Sequence, residues 1–209
     1  MADRKQVLES LKNEMERDRE LPLFGRANLV FGEGNPEAGV MFIGEAPGFH
    51  EDRLSRPFVG QAGQLLNQLL AKINWPRESV YITNIVKRRP PENRDPLPEE
   101  IEAYRPYLKK QIDILEPKII ATLGRFSMNY FLPLAKISRD HGKATPLNPY
   151  LIAPLYHPAA ALRSTSVLKE LEEDFLKLPD LLRDWDKLMG NINIEASPPA
   201  VAVKQVSLF

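Results

Sequence analysis

Four short apolar runs constrain the fold more than any other feature of this 209-residue chain. They are Gly39-Val-Met-Phe-Ile43, Val80-Tyr-Ile-Thr83, Lys118 to Leu123 and Tyr150 to Pro154, each about the length of a buried strand. Between them the apolar spacing becomes helical. Val7, Leu8, Leu11 and Met15 share one side of residues 3–17, and Leu65, Leu66, Leu69 and Leu70 share one side of 60–73. Helix spacing returns after a Pro-rich loop (Pro90 to Pro98) and runs to about Leu115, with a break expected near Pro106. Gly124 is expected to open another helix, and a strongly charged helix is expected over 166–189. Strands that alternate with helices need crossover connections, which predicts an α/β fold with a mostly parallel sheet. Such sheets bind ligands beyond the carboxyl ends of their strands. The loops after the first, second and fourth strands are therefore where chemistry is expected.

Composition removes several classes of protein. The chain has no cysteine, which excludes disulfides and thiolate metal sites, and only three histidines, so no metal or cofactor is expected. No apolar run is long enough to cross a bilayer, and the start, MADRKQVLES, has no apolar signal core. A cytoplasmic protein without a membrane partner is the expectation. The formal net charge of zero argues against a generic nucleic-acid coat but not against a local basic groove. The richest basic stretch is Lys87, Arg88, Arg89 and Arg94, followed by Arg105, Lys109 and Lys110. It reads equally well as a phosphate-contacting surface or as a solvated face balanced by Glu99, Glu100 and Glu102.

Three segments carry side chains suited to chemistry. Gly44-Glu-Ala-Pro-Gly48 follows the first strand, and its glycines let backbone approach a ligand closely. Glu45, at the strand end, is expected to be partly buried with a raised pKa, able to orient or deprotonate a water; the alternative is a turn carboxylate that caps the next segment. Glu51 and Asp52 read as caps or as partners for Arg53 and Arg56. In Arg56-Pro-Phe-Val-Gly60, Phe58 is either a rigid, exposed ring that stacks on a base or a ring folded into the core. Asn84 ends the second strand. Its amide presents a donor beside an acceptor, a pattern that fits one edge of a flipped pyrimidine, though a lone Asn also caps turns. His157, after the fourth strand and before Pro158, is expected to project into the cleft and donate to a carbonyl oxygen. Beyond it, Arg163, Ser164 and Ser166 are candidates for holding phosphates, and Leu162 for wedging into a base stack.

Taken in order, Phe31-Gly-Glu-Gly-Asn-Pro36, Gly44-Glu-Ala-Pro-Gly48, Arg56-Pro-Phe-Val-Gly60, Asn84-Ile-Val-Lys87, Arg89-Pro-Pro-x-Asn-Arg94 and His157-Pro-Ala-Ala160 resemble the motifs of the family 4, thermophile-type uracil-DNA glycosylases over residues 28–166. The resemblance implies a three-layer α/β/α sandwich around a central four-stranded parallel sheet. It implies that Glu45 handles the attacking water and that His157 stabilises charge on uracil O2. Phe58 would stack on uracil, Asn84 would read its edge, and backbone at Ala46 and Gly48 would line the pocket. Leu162, Arg163, Ser164, Lys87 and Arg89 are the expected DNA contacts. The implied function is monofunctional excision of uracil from single- or double-stranded DNA, by a monomer associated with the nucleoid. A uracil-DNA binding module with little catalysis, or a glycosylase with a broader deaminated-base range, remain as alternatives. A related group traps uracil-DNA covalently through a histidine in the loop after the second strand. Residues 87–94 contain none, so trapping is not expected.

The departures from that family concern an iron–sulfur cluster. Its four cysteines would fall around Arg17 and Glu20, at Arg88 and at Tyr104, and none of these is cysteine. Thiolates are obligatory for such a cluster, so it is not expected. Arg88 is expected to pair instead with an N-terminal acid (Glu16, Asp18 or Glu20) and Tyr104 to fill the vacated volume. Residues 1–190 form the expected domain and 191–209 a flexible tail. Within the tail, Gln205-Val-Ser-Leu-Phe209 resembles the short peptides that dock on DNA sliding clamps, with Gln205, Leu208 and Phe209 as the contacting residues.

Overall fold

A computed structural model describes residues 3–190. The first helix, α1 (Arg4–Arg17), starts where the Asp3 side chain accepts from the Lys5 N–H, and it buries Leu8, Leu11 and Met15. A short strand, β1 (Glu33–Gly34), precedes β2 (Val40–Gly44), α2 (Phe49–Leu54) and α3 (Gln61–Lys72). Then come β3 (Tyr81–Asn84), α4 (Pro98–Leu115), β4 (Ile119–Leu123), α5 (Arg125–Phe131) and α6 (Ile137–Asp140). The chain continues through β5 (Thr145–Leu147), β6 (Tyr150–Leu155), α7 (Pro158–Ala161), α8 (Thr165–Arg183) and α9 (Trp185–Gly190).

The sheet runs β1-β3-β2-β4-β6-β5, and its four inner strands are parallel. They are the four apolar runs of the sequence. Every residue of β2, β3 and β4 is buried because helices cover both faces. Side chains alternate between two cores. Val40, Phe42, Ile82 and Ala121 pack with α3 and α8 through Leu66, Leu69, Leu70 and Phe175. Met41, Ile43, Tyr81 and Ile120 pack with α1 and α4 through Leu8, Leu11, Tyr104 and Leu108. The sandwich therefore has three layers, α/β/α.

Three expectations need correcting. The sheet has six strands rather than four, because two short antiparallel edges, β1 and β5, cover its margins. These edges carry too few apolar residues to register as strands. Helix α4 is not broken at Pro106: the residue lies on the exposed face, where water can satisfy the Glu102 carbonyl left without a donor. The single helix expected over 166–189 is two, α8 and α9, divided at Asp184. None of the described helices is long and apolar enough to cross a membrane. The expected tail, including Gln205, Leu208 and Phe209, lies outside the described residues.

Candidate active site

The carboxyl ends of the parallel strands open on a cavity of about 630 Å³. Its walls include Glu45, Ala46, Gly48, Phe58, Asn84 and His157, so side chains from separate strand-end loops meet there. Each is fixed by local structure. The β2–β3 ladder continues one step past the strands: Ile85 N–H donates to Gly44 O at 3.0 Å and Val86 N–H to Glu45 O at 3.0 Å. This holds the Glu45 backbone at the cavity floor. Gly44 itself must lack a side chain, because a Cβ there would lie 2.4 Å from Asn84 Oδ1 and 2.5 Å from Phe58 Cζ. The phenyl ring and the amide both pack against the bare backbone of the strand end.

Phe58 is neither the fully exposed ring nor the ordinary core ring that the sequence allowed. It is 5% exposed, lines the cavity, and stacks on the His157 ring with centroids 5.7 Å apart and planes at 30°. Its φ of +50° is costly for a residue with a Cβ and is held by outside bonds. Glu51 Oε1 accepts from the Val59 and Gly60 N–H groups at 2.9 and 2.7 Å, and Arg77 Nη2 donates to Pro57 O at 2.6 Å. Arg77 is itself anchored on Glu33. Arg56 also pairs with Glu33, at 2.7 Å, rather than with Glu51 or Asp52. Glu51 is thus a cap, and Asp52 accepts from the Asn28 N–H at 2.7 Å.

The polar groups are poised by burial. Desolvation, reinforced by the nearby Asp95 charge and opposed by Arg125, pushes the Glu45 carboxyl up to about 7. Burial pushes the His157 imidazole down to about 4 against the opposing pull of Glu51, so the ring is neutral at neutral pH. His157 caps α7, and its Nδ1 accepts from the Ala159 N–H at 3.1 Å. A neutral ring that accepts at Nδ1 carries its proton on Nε2, which leaves Nε2–H as a donor. Asn84 is 2% exposed, and its Oδ1 is buried without a hydrogen-bond partner. With no protein partner among the described residues, this acceptor on the cavity wall is open to a ligand donor. Gly124, with φ +93°, turns the chain at the end of β4 where a Cβ would press on His157 Cβ at 3.0 Å.

The expected DNA contacts divide. Leu162 is half exposed and Arg163 is exposed at the cavity rim. Ser164 Oγ caps α8, accepting from the Val167 N–H at 3.4 Å, and pairs with Ser166 Oγ at 2.9 Å. Arg89 is half-buried beside the cleft and donates to Asn93 Oδ1 at 2.7 Å. Lys87 is wrongly assigned by the sequence reading. It is fully buried, and its amine donates to Thr83 Oγ1 at 2.6 Å and to Gln111 Oε1 at 2.5 Å. Burial drives its pKa far down, and no phosphate can reach it. The rest of the basic stretch is largely neutralised by neighbours: Arg94 by Glu100, Arg105 by Glu102, Lys109 by Asp113 and Lys110 by Glu14. Arg94, unlike the other three, also lines the cavity.

Sequence reasoning missed Asp95, Arg125 and Tyr156, all on the cavity wall. Arg125 follows the third parallel strand directly and pairs with Asp95 at 2.5 Å. The strand-end rule applied to all four strands, not three, would have found it.

The iron–sulfur positions do not fit a cluster. Their side chains offer guanidinium, carboxylate and phenol in place of thiolates. Tyr104 is fully buried and donates to Pro22 O at 2.7 Å. The expected ion pair of Arg88 with Glu16, Asp18 or Glu20 does not form. Asp18 instead accepts from Tyr107 OH at 2.6 Å, while Glu16 and Glu20 face solvent. Arg88 lies under the Phe24 ring, 5.3 Å from its centroid, with Nε and Nη1 buried and unpartnered. Among the described residues, no three His, Cys, Asp or Glu side chains cluster to hold a metal ion.

An α/β/α sandwich whose strand-end loops enclose a carboxylate, a neutral imidazole, an unpaired amide and a flat ring defines a protein that binds a small planar heterocycle. A family model described as the Uracil DNA glycosylase superfamily matches residues 31–179. A type-4 uracil-DNA glycosylase of Sulfurisphaera tokodaii is 46% identical over 185 residues, covering 83% of this chain and 84% of that protein. One from Saccharolobus solfataricus is 49% identical over 167 residues (75% and 77% of the two chains). Another, from Thermotoga maritima, is 38% identical over 183 residues (83% and 95%). The chain belongs to the uracil-DNA glycosylase superfamily, as a type-4 member without the cluster cysteines.

Proposed function

We propose that this protein hydrolyses the N-glycosidic bond of deoxyuridine in DNA and leaves an abasic site, the opening step of base-excision repair. The observation that carries the reading is Asn84 Oδ1, buried and unpaired on a cavity wall that also holds Phe58. An acceptor there suits the N3–H of uracil, and the amide NH₂ beside it suits O4. Cytosine has no N3–H, so the same acceptor would face a lone pair.

The chemistry follows from the leaving group. Breaking the C1′–N1 bond sends the electron pair onto uracil, with charge accumulating at O2, and leaves an oxocarbenium-like sugar. Nε2–H of His157, already neutral and oriented by the Ala159 N–H, donates to O2. The Glu45 carboxylate orients a water and takes its proton as the oxygen bonds to C1′. The Phe58 ring, rigid against His157, stacks on the base. Arg163 at the cavity rim, with its chain neighbours Leu162 and Ser164 and with Arg89, is proposed to meet the strand that carries the flipped nucleotide. Among the described residues lining the cavity none is a lysine, so no strand cleavage is expected to follow.

Release of free uracil from a labelled oligonucleotide tests the reading, with Glu45→Gln and His157→Ala each expected to lower the single-turnover rate at least ~100-fold. Tight uracil-DNA binding by the unaltered protein with no uracil released would establish a binding module instead. The segment with Gln205, Leu208 and Phe209 is proposed to dock on a sliding clamp. Deleting 205–209 should abolish clamp pull-down while excision from free oligonucleotides persists, and retained pull-down would remove that proposal.

A further inference from the structure

Beside the cavity, the ring of Phe49 stands 52% exposed, an unusual placement for a phenylalanine on a short helix. Phe49 directly follows cavity-lining Gly48 in the loop after β2. Arg89, from the loop after β3, places its guanidinium carbon 5.2 Å from the Phe49 centroid. Arg89 is held in turn by Asn93, another cavity residue, and makes no ion pair among the described residues. The His50 ring meets Phe49 edge-on, at 5.5 Å and 81°. The ring is therefore held from two sides, its charge partner has no carboxylate among the described residues, and the patch adjoins cavity-lining Gly48 and Asn93.

The geometry points to Phe49, backed by Arg89, as a stacking platform for the nucleobase next to the flipped uracil. This inference rests on the uracil-excision reading and adds a second base site to it. Any base presents a π-face, so the platform reads position rather than sequence. A guanidinium over the ring fixes its orientation in advance and meets the adjoining phosphate, a combination suited to single-stranded nucleic acid. In a duplex the neighbouring base is already stacked and paired, so the platform has less to offer. The occupant is accordingly an unpaired base of the same strand, and the substrate class favoured is uracil in single-stranded DNA.

The test uses the full chain and an oligonucleotide with 2-aminopurine beside 2′-fluoro-2′-deoxyuridine, which resists hydrolysis. Wild type and Phe49→Trp should quench the probe on binding single strands. Phe49→Leu, which keeps apolar bulk without a π-face, should lose most of the quenching and bind single strands about tenfold more weakly. The loss on duplex should be smaller. Equal behaviour of Phe49→Leu and wild type would overturn the proposal. So would equal loss in Phe49→Trp, which would mark a packing role, or equal loss on duplex and single strand. Circular dichroism and melting of each variant identify a misfolded one, and the Trp–Leu comparison then decides. Quenching without uracil release from an ordinary deoxyuridine strand would sink the excision reading and leave the platform standing.

Discussion

Replacing Glu45 by Gln should make the protein more stable as it destroys activity, and only above a defined pH. The Glu45 carboxyl ionises near 7, against an ordinary value near 4.5, chiefly because burial disfavours its anion and Asp95 adds repulsion. A group whose proton is held more tightly in the folded than in the unfolded state lowers stability as pH rises through that window. Below about pH 4.5 both states are protonated and Glu45 costs nothing. Above about 7 both are ionised and the full cost applies. The upper bound is roughly 3 kcal/mol, from the conversion of a pKa displacement to free energy. Solvent reaches part of the carboxylate, so about 1–2 kcal/mol is the expected magnitude. Gln is nearly isosteric and cannot ionise. Any hydrogen-bonding penalty it brings is the same at every pH, and the titration of His157 is common to both proteins to first order. The quantity to measure is therefore the melting temperature of the Glu45→Gln variant minus that of wild type at pH 8, less the same difference at pH 5. A gain of about 1–2 kcal/mol corresponds to roughly 2–8 °C for a domain of this size. Differential scanning calorimetry at both pH values, in one salt concentration, supplies it. A pH-independent difference would refute the claim that Glu45 is strained by burial, and with it the account of how the base is poised.

Single-turnover excision should rise with pH on an acid limb near 7, since Glu45 must be ionised and His157 is already neutral there; a profile flat from about pH 6 to 9 would contradict this. Gly44→Ala should cut excision at least ~100-fold at modest cost to folding, because the new methyl forces Asn84 and Phe58 from the pocket; a near-normal rate would show the wall to be soft. Arg88→Met should leave the melting temperature unchanged or raise it, since it removes two unpaired buried N–H groups yet keeps an apolar stem against Phe24. A loss of several degrees would mean that Arg88 has a partner after all. Lys87→Met should cost about 1–3 kcal/mol by stranding Thr83 and Gln111, yet leave the salt dependence of DNA binding alone. Arg163→Ala should reduce the slope of log affinity against log salt by about 1.

What the sequence shows and what it hides divide along physical lines. The four parallel strands are legible because strands buried on both faces must be apolar throughout, and the α3 face is legible because Leu65, Leu66, Leu69 and Leu70 recur at helical spacing. The edges β1 and β5 are not, since two or three half-exposed residues carry no period. The meeting of Glu45, Phe58, Asn84 and His157 could be anticipated from strand-end position together with family resemblance. The direction of a side chain could not. Lys87 and Arg89 sit two residues apart in one basic run, and one is sealed under α4 while the other faces the cleft. Charge in a sequence says nothing about which way a loop residue points, and the inward one finds its partners in Thr83 and in Gln111, 24 positions away. Phe58 escaped a simple exposed-or-core choice because a ring on a cavity wall is buried by the pocket it helps to form.

The loss of the cluster cysteines becomes intelligible once the two cores are kept apart. Tyr104 and the end of α1 lie in the α1–α4 core, and Arg88 packs against Phe24, in the segment that follows α1. Several separate bonds tie the N-terminal segment to α4: Tyr104 OH to Pro22 O, Tyr107 OH to Asp18, Lys110 to Glu14, and Arg4 to Glu116 and the Leu115 carbonyl. None of these groups lines the cavity, whose chemical side chains leave the carboxyl ends of the strands. The phenol and ion-pair contacts of the N-terminal helix thus lie apart from Glu45, Asn84 and His157. Among the described residues no acid pairs with Arg88, and the face of the Phe24 ring offers its guanidinium a weak electrostatic partner. The cavity loops and the contacts of the N-terminal helix are thus separate parts of the fold, joined through the sheet.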